Sequence, residues 1–387
     1  MIHTQQHAVY SCKWDQESQS LGRIDLLQGL DPQRHAPFSP ELYSKFKYGS
    51  SAASRHYALD IYRAARLLFA KELEADATNL VMTSAAYKSM PTASTALFAN
   101  ALALINDDRR TKGLAAIPHI KIHRESILNA DYGMLTHEAR AKAMQCTRLD
   151  IVLADRHHHH PDVESTSTSV VVADYLRGKH IVIIDDCIIT GAHMNCVSNH
   201  FRNNIPGLQR GGGAEEEDDD VKLTFLFVLS VQSSNAATTP TATPDQSTTA
   251  AEDHLNHYHV NSLDRWSEMV NSDDATPVNG RTVKYFLTSD ASMESKVAVL
   301  GRLRREAVLQ MYRGAIADDI ASSFTEQMEA IERQIGINEN NGRMKEIGCC
   351  CRRDDYSSTT TTTTTANTLH LMRIVSEETL EDGTVHK

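Results

Sequence analysis

The sequence predicts an α/β fold, an open parallel sheet flanked by helices, with a mostly helical C-terminal extension. Three observations carry this. Short apolar runs alternate with helical patterns from residue 42 to residue 231, as βα units require. The run Ile181, Val182, Ile183, Ile184 is continuous and β-branched, the signature of a parallel strand buried on both faces. Ala53, Tyr57, Ile61, Ala65, Phe69 and Leu73 form one row at i+4 spacing, as an amphipathic helix over 52–74 requires.

Along the chain, residues 1–40 read as a partly ordered leader with weak periodicity, and organisation is expected from Leu42 onward. Helix 52–74 leads into a strand at Leu80, Val81 and Met82, then into a small-residue loop ending near Pro91 and Thr92. A helix is expected over 93–105, a strand over 117–122, and a helix from Thr136 within 131–144. A short strand or helix follows at 170–172, and Gly178 breaks it before the strand at 180–184. After Gly191 an amphipathic pattern runs to Phe201, and 221–231 reads as the next strand. Residues 233–254, rich in Ser, Thr, Ala and Pro, read as a disordered linker or insertion. Residues 255–337 read as mainly helical, with a strand near 283–287, and 338–387 as a low-complexity tail. The domain itself is therefore expected over 41–232, with insertions near 155–169 and 208–220.

Composition narrows the function classes. The chain has 387 residues, 41% hydrophobic and 23% charged, which suits one large domain with appendages. A net charge of −11 argues against broad attraction to nucleic acid. No apolar run approaches the roughly 20 residues of a membrane span, and residues 1–30 lack the apolar core of a signal peptide. The seven cysteines give little sign of a disulfide framework, since Cys12, Cys146, Cys187 and Cys196 are scattered, so a cytoplasmic protein is expected. The tract His157 to His160 reads as a loop insertion with adventitious metal affinity. The triplet Cys349, Cys350 and Cys351 reads as solvated tail.

The informative segment is 180–195, HIVIIDDCIITGAHMN. It reads as a buried strand, two carboxylates at its carboxyl end, a loop with Thr190 and Gly191, and a helix start. In open α/β sheets ligands bind at that edge. Amides of a tight loop at a helix N-terminus hold a phosphate, while paired carboxylates accept vicinal hydroxyls or hold water around Mg²⁺. The plainer alternative is an Asp pair that merely ends a strand before a capped helix.

This segment resembles the phosphoribosyl-pyrophosphate (PRPP) signature of type I phosphoribosyltransferases. The resemblance implies that Asp185 and Asp186 are catalytic, holding the ribose hydroxyls. It implies that Cys187, Ile188, Ile189, Thr190, Gly191, Ala192 and His193 wrap the 5′-phosphate. Ser84, Ala85, Ala86, Tyr87 and Lys88 would then bind pyrophosphate, and the segment with Tyr132 and Arg140 would form a lid. Lys88 could equally be a solvated loop lysine, and Arg140 a surface residue. Ile189 and His193 depart from the family pattern, and Ile189 disfavours ordinary hypoxanthine or guanine salvage. Phe46-Lys47-Tyr48-Gly49, the 131–133 segment and Ile-Thr-Gly-x-His resemble a variant group associated with bacterial tellurite and stress-response gene clusters. Lys45 and Lys47 are candidates for a phosphate or partner contact, against the alternative of a solvated face.

The implied activity is a glycosyltransferase reaction with PRPP and an unidentified nitrogenous base as substrates, Mg²⁺ as cofactor bound with PRPP, and a homodimer as candidate assembly. The competing expectation is a non-catalytic PRPP or nucleotide sensor on the same fold. A P-loop enzyme is excluded by the absence of G-x-x-x-x-G-K-[ST].

Overall fold

A computed structural model describes residues 3–15, 17–76, 79–125, 148–153, 172–189, 191–203, 221–233, 245–272 and 278–336. The central sheet has five strands: β1 (His3–Asp15), β2 (Ser20–Leu26), β3 (Leu80–Ser84), β6 (His180–Ile188) and β7 (Lys222–Ser233). Their spatial order is β2-β1-β7-β6-β3, all neighbours parallel except the antiparallel edge pair β1–β2. A two-stranded antiparallel ribbon, β4 (Ile120–Glu125) and β5 (Arg148–Leu153), extends beyond β3. It is joined through isolated bridges at Met82–His119 and Tyr87–His123.

Alternate residues of β6 feed two cores, as the two-residue period of a strand demands. Val182 and Ile184 pack with Ala58, Ile61 and Ala65 of α2 (Ser51–Leu68) and Leu97 and Ala101 of α4 (Ala93–Thr111). Ile181 and Ile183 pack on the opposite face with Val197 and Phe201 of α5 (Ala192–Asn203) and with Leu176 of a helical segment at 172–176. Both faces are covered, so the strand is apolar without alternation.

Capping sets the helix starts. Ser50 accepts the Ala53 amide to open α2. Thr92 and Thr95 form a reciprocal capping box at the start of α4, immediately after Pro91. The helix expected over 52–74 is broken at Phe69, whose non-helical φ of −124° caps both α2 and the short α3 (Ala70–Glu74). The Phe69 ring packs edge-on against His180 at 5.3 Å, so a buried aromatic contact fixes the break.

Three expectations need correction. Order does not begin at Leu42: β1 of the expected leader lies inside the sheet against β7, and its Tyr10 hydroxyl donates to the buried Asp60 at 2.9 Å. The expected linker carries α6 (Asp245–His257), whose Ala251 and Leu255 are buried against the main core. The strand expected at 283–287 is instead α8 (Gly280–Thr288), started by the Asn279 side chain accepting the Thr282 amide at 2.9 Å. The ribbon strand β5 was not anticipated.

The remaining helices are α1 (Pro40–Lys47), α7 (Leu263–Asn271), α9 (Met293–Leu300), α10 (Arg305–Ala317) and α11 (Thr325–Ile335). Trp266 of α7 stacks on Phe286 of α8 at 5.4 Å and donates to the Thr282 carbonyl. Among the described residues, no helix is long and apolar enough to cross a membrane. The expected lid, with Tyr132 and Arg140, the histidine tract at 157–160, the acidic stretch at 211–220 and the tail from 338 lie outside the described residues.

Candidate functional site

Strand β6 delivers Asp185 and Asp186 at its carboxyl end, where the strand is still in register with β7. Asp185 Oδ1 accepts the Ser94 hydroxyl at 2.7 Å and the Asp186 amide at 2.8 Å, and Oδ2 lies 3.3 Å from His193 Nδ1. Burial pushes the Asp185 carboxyl upward, but His193, Ser94 and the amide together outweigh it and hold it below the usual carboxylate value. Asp185 is thus an anion held in one orientation by groups from three elements.

Asp186 is held differently. Its Oδ2 lies 2.5 Å from Lys47 Nζ, with side chains 15% and 10% exposed. Lys47 closes α1, and its carbonyl accepts the Asn279 side-chain amide at 3.0 Å, so the C-terminal helices fix the backbone that carries the ammonium. The Arg281 guanidinium lies 3.5 Å from Glu252 and feels the Asp186 and Glu252 charges, which raise its pKa although burial opposes this. Lys45, the other candidate, pairs with Glu41 at 2.7 Å on the exposed side of α1 and does not reach the site.

The loop after the acid pair is shorter than expected. Cys187 and Ile188 remain in β6, registered with Leu229 and Ser230 of β7, and their side chains pack in the two cores. Burial pushes the Cys187 thiol well up, so it stays a neutral thiol beside Tyr43 rather than a nucleophile. Ile189 also packs against the core. Gly191 takes φ 72°, a left-handed turn that glycine adopts without strain, and its carbonyl accepts the Asn195 amide at 2.8 Å as α5 begins. Ala192 and His193 form the first turn of α5, so a phosphate would meet helix-start amides rather than a long loop. Thr190 lies outside the described residues.

Residues 84–88 sit at the same edge. Ser84 closes β3 in register with Ile184, so the following loop starts level with Asp185. Several of its amides are already committed: Ala85 donates to the Ile184 carbonyl at 3.0 Å and Tyr87 to the Ile122 carbonyl at 3.3 Å. The Ser84 hydroxyl donates to the Ala85 carbonyl, and Lys88 Nζ donates to the Asp318 carbonyl at 3.2 Å. Ser84 and Ala86 are buried, so only Tyr87 and Lys88 of this group carry partly exposed side chains.

The sheet edge therefore brings together Asp185, Asp186, Gly191, His193 and the loop from Ser84, and adds Ser94, Arg281 and Asp318, which sequence reasoning missed. Only Ser94 left a local signal, three residues after Pro91 at a helix start. Among the described residues no group of three or more His, Cys, Asp and Glu side chains gathers to hold a metal ion. Asp185 and Asp186 are themselves engaged by Ser94, His193 and Lys47.

Comparison with known proteins places this geometry. Residues 24–208 match the model of a family described as PRTase ComF-like, a type I phosphoribosyltransferase-like family. The matched span contains β3, α4, β6 and α5, hence the acid pair, the turn at Gly191 and the loop from Ser84. Helices α6 to α11 lie beyond it. A search of curated proteins finds no match to the chain. Residues 24–208 are thus similar to a type I phosphoribosyltransferase-like family, and the mixed, mostly parallel sheet with flanking helices agrees with that fold.

Proposed function

We propose that this type I phosphoribosyltransferase-like region binds PRPP and transfers its phosphoribosyl group to a nitrogenous base, releasing pyrophosphate. The observation that carries the reading is the pair Asp185 and Asp186 near the carboxyl end of β6, with the Gly191 turn and the first turn of α5 following the strand. Ribose hydroxyls would donate to the two carboxylates, and the 5′-phosphate would rest on the amides opening α5. The bond from C1 of the ribose to the pyrophosphate oxygen breaks, and its electron pair leaves with pyrophosphate. The base nitrogen supplies the new pair to C1 and afterwards loses its proton to solvent.

The protein's contribution is position and charge. Asp185, kept anionic by Ser94 and His193, would stabilise positive charge developing at C1. Lys47 and Arg281 offset the second carboxylate, so the site can receive a polyanion without stacking uncompensated negative charge. Mg²⁺, bound to the diphosphate oxygens, would neutralise charge on the leaving group. A cytoplasmic setting and a homodimer belong to the same proposal.

The test is incubation of the full chain with PRPP, Mg²⁺ and a panel of purine, pyrimidine and modified bases, following pyrophosphate. Base-dependent release supports transfer. Saturable PRPP binding with no release from any base supports the sensor reading instead, and absence of PRPP binding rejects both.

A further inference from the structure

We propose that Lys88, Ser89 and Met90 form an anion site which the chain fills with its own Asp318 carboxylate, and that a diphosphate competes with that carboxylate. The identity of the competing anion rests on the PRPP reading. Asp318 caps the C-terminus of α10, and the next residue, Asp319, takes φ 59°, a left-handed conformation uncommon outside glycine. Asp318 Oδ1 accepts two consecutive amides, Ser89 at 3.0 Å and Met90 at 3.1 Å. Its carbonyl accepts Lys88 Nζ at 3.2 Å, while the Ser89 hydroxyl donates to the Ala317 carbonyl at 3.2 Å. Lys121, held 4.5 Å above the Tyr87 ring, is drawn toward the same carboxylate.

Consecutive amides backed by lysine ammoniums are the donor set that phosphate oxygens take, and a carboxylate is the nearest side-chain substitute. The loop opens at Ser84, level with the strand that bears Asp185, so an anion here lies at the edge where the ribose would bind. Packing enforces the docking. A Cβ added at Gly314 would clash with Met90 Sδ and stand 2.8 Å from Met90 Cγ, so α10 meets the Met90 side chain closely where residue 314 is glycine. The Gly280 amide, at the start of α8, holds the same loop through the Pro91 carbonyl at 3.1 Å. The C-terminal helices thus carry an internal competitor for the diphosphate.

Calorimetric titration of pyrophosphate into the full chain tests this, using Asp318→Ala and, separately, Gly314→Ala, which leaves the carboxylate but crowds the Met90 side chain against which α10 docks. Asp318→Ala should bind pyrophosphate roughly tenfold more tightly than the unaltered chain, the gain from removing a two-amide competitor. Gly314→Ala should shift in the same direction. Affinity equal to or weaker than that of the unaltered chain overturns the proposal, and Gly314→Ala decides alone if circular dichroism shows Asp318→Ala unfolded. PRPP titrated into the same proteins separates the two readings. PRPP binding that Asp185→Asn weakens, with pyrophosphate affinity unmoved by Asp318→Ala, overturns the competitor alone. Tighter pyrophosphate binding by Asp318→Ala with no PRPP binding by any protein overturns the PRPP reading alone.

Discussion

Replacing Lys47 with methionine keeps the apolar stem and removes the ammonium 2.5 Å from Asp186. Breaking a buried ion pair costs about 3–5 kcal/mol, because the surviving charge is left without compensation, whereas an exposed pair is worth about 0.2–1 kcal/mol. Exposures of 10% and 15% put this pair near the buried limit. Arg281 remains to attract Asp186, so part of the compensation survives and the expected loss is about 2–3 kcal/mol, below the full buried figure. Urea denaturation of Lys47→Met, Asp186→Asn and the double variant isolates the pair, with an expected coupling of about 2 kcal/mol. Raising the salt should reduce it little, since water is largely excluded. A coupling under about 0.5 kcal/mol would place the pair in the exposed class and refute the reasoning that Lys47 holds Asp186.

Further outcomes follow from other contacts. Asp60, 2% exposed, accepts the Tyr10 hydroxyl at 2.9 Å and lies 3.1 Å from His35 Nδ1, so Asp60→Ala should cost about 2–4 kcal/mol in chemical denaturation, and a loss under about 1 kcal/mol would mean β1 is not tied down there. At Gly191, φ 72° with only ordinary contacts for an added Cβ makes the cost of Gly191→Ala conformational, about 1–2 kcal/mol by thermal unfolding, together with weaker PRPP binding. His7, His180, His200, His254, His257 and His259 all lie below the ordinary 6.5, burial being the first cause in each. The native state holds them neutral while the unfolded chain takes up protons, so stability is full above pH 6.5 and declines as pH falls below it. Urea midpoints at pH 8, 7, 6 and 5 read this directly, and a flat profile would contradict it.

Legibility from sequence followed how local each cause is. The strand at 180–184 was readable because burial on both faces leaves an apolar, β-branched run, and the Asp pair ends it visibly. Strand β1 was not, because its first half is polar and only Val9, Tyr10, Cys12 and Trp14 are buried. Val283, Tyr285, Phe286 and Leu287 look strand-like in composition, yet Asn279 caps them as a helix and Trp266 stacks on Phe286. Residues 245–252 have a linker's composition, and they are helical within a segment whose Ala251 and Leu255 find an apolar surface remote in sequence. In the site, the acid pair and the glycine turn are local and were legible. The contact of Lys47 with Asp186 spans 139 residues and that of Met90 with Asp318 spans 228, distances over which no periodicity or motif carries information.

The central claim, that the β6 carboxylates and the α5 turn receive one sugar-phosphate, is tested most directly by titrating PRPP with Mg²⁺ into the full chain and into Asp185→Asn and Asp186→Asn. Circular dichroism establishes that each variant is folded. The account predicts saturable binding by the unaltered chain and at least a tenfold loss in each variant, as expected when a charged hydrogen-bond partner is neutralised. Equal PRPP affinity in all three folded proteins would contradict it.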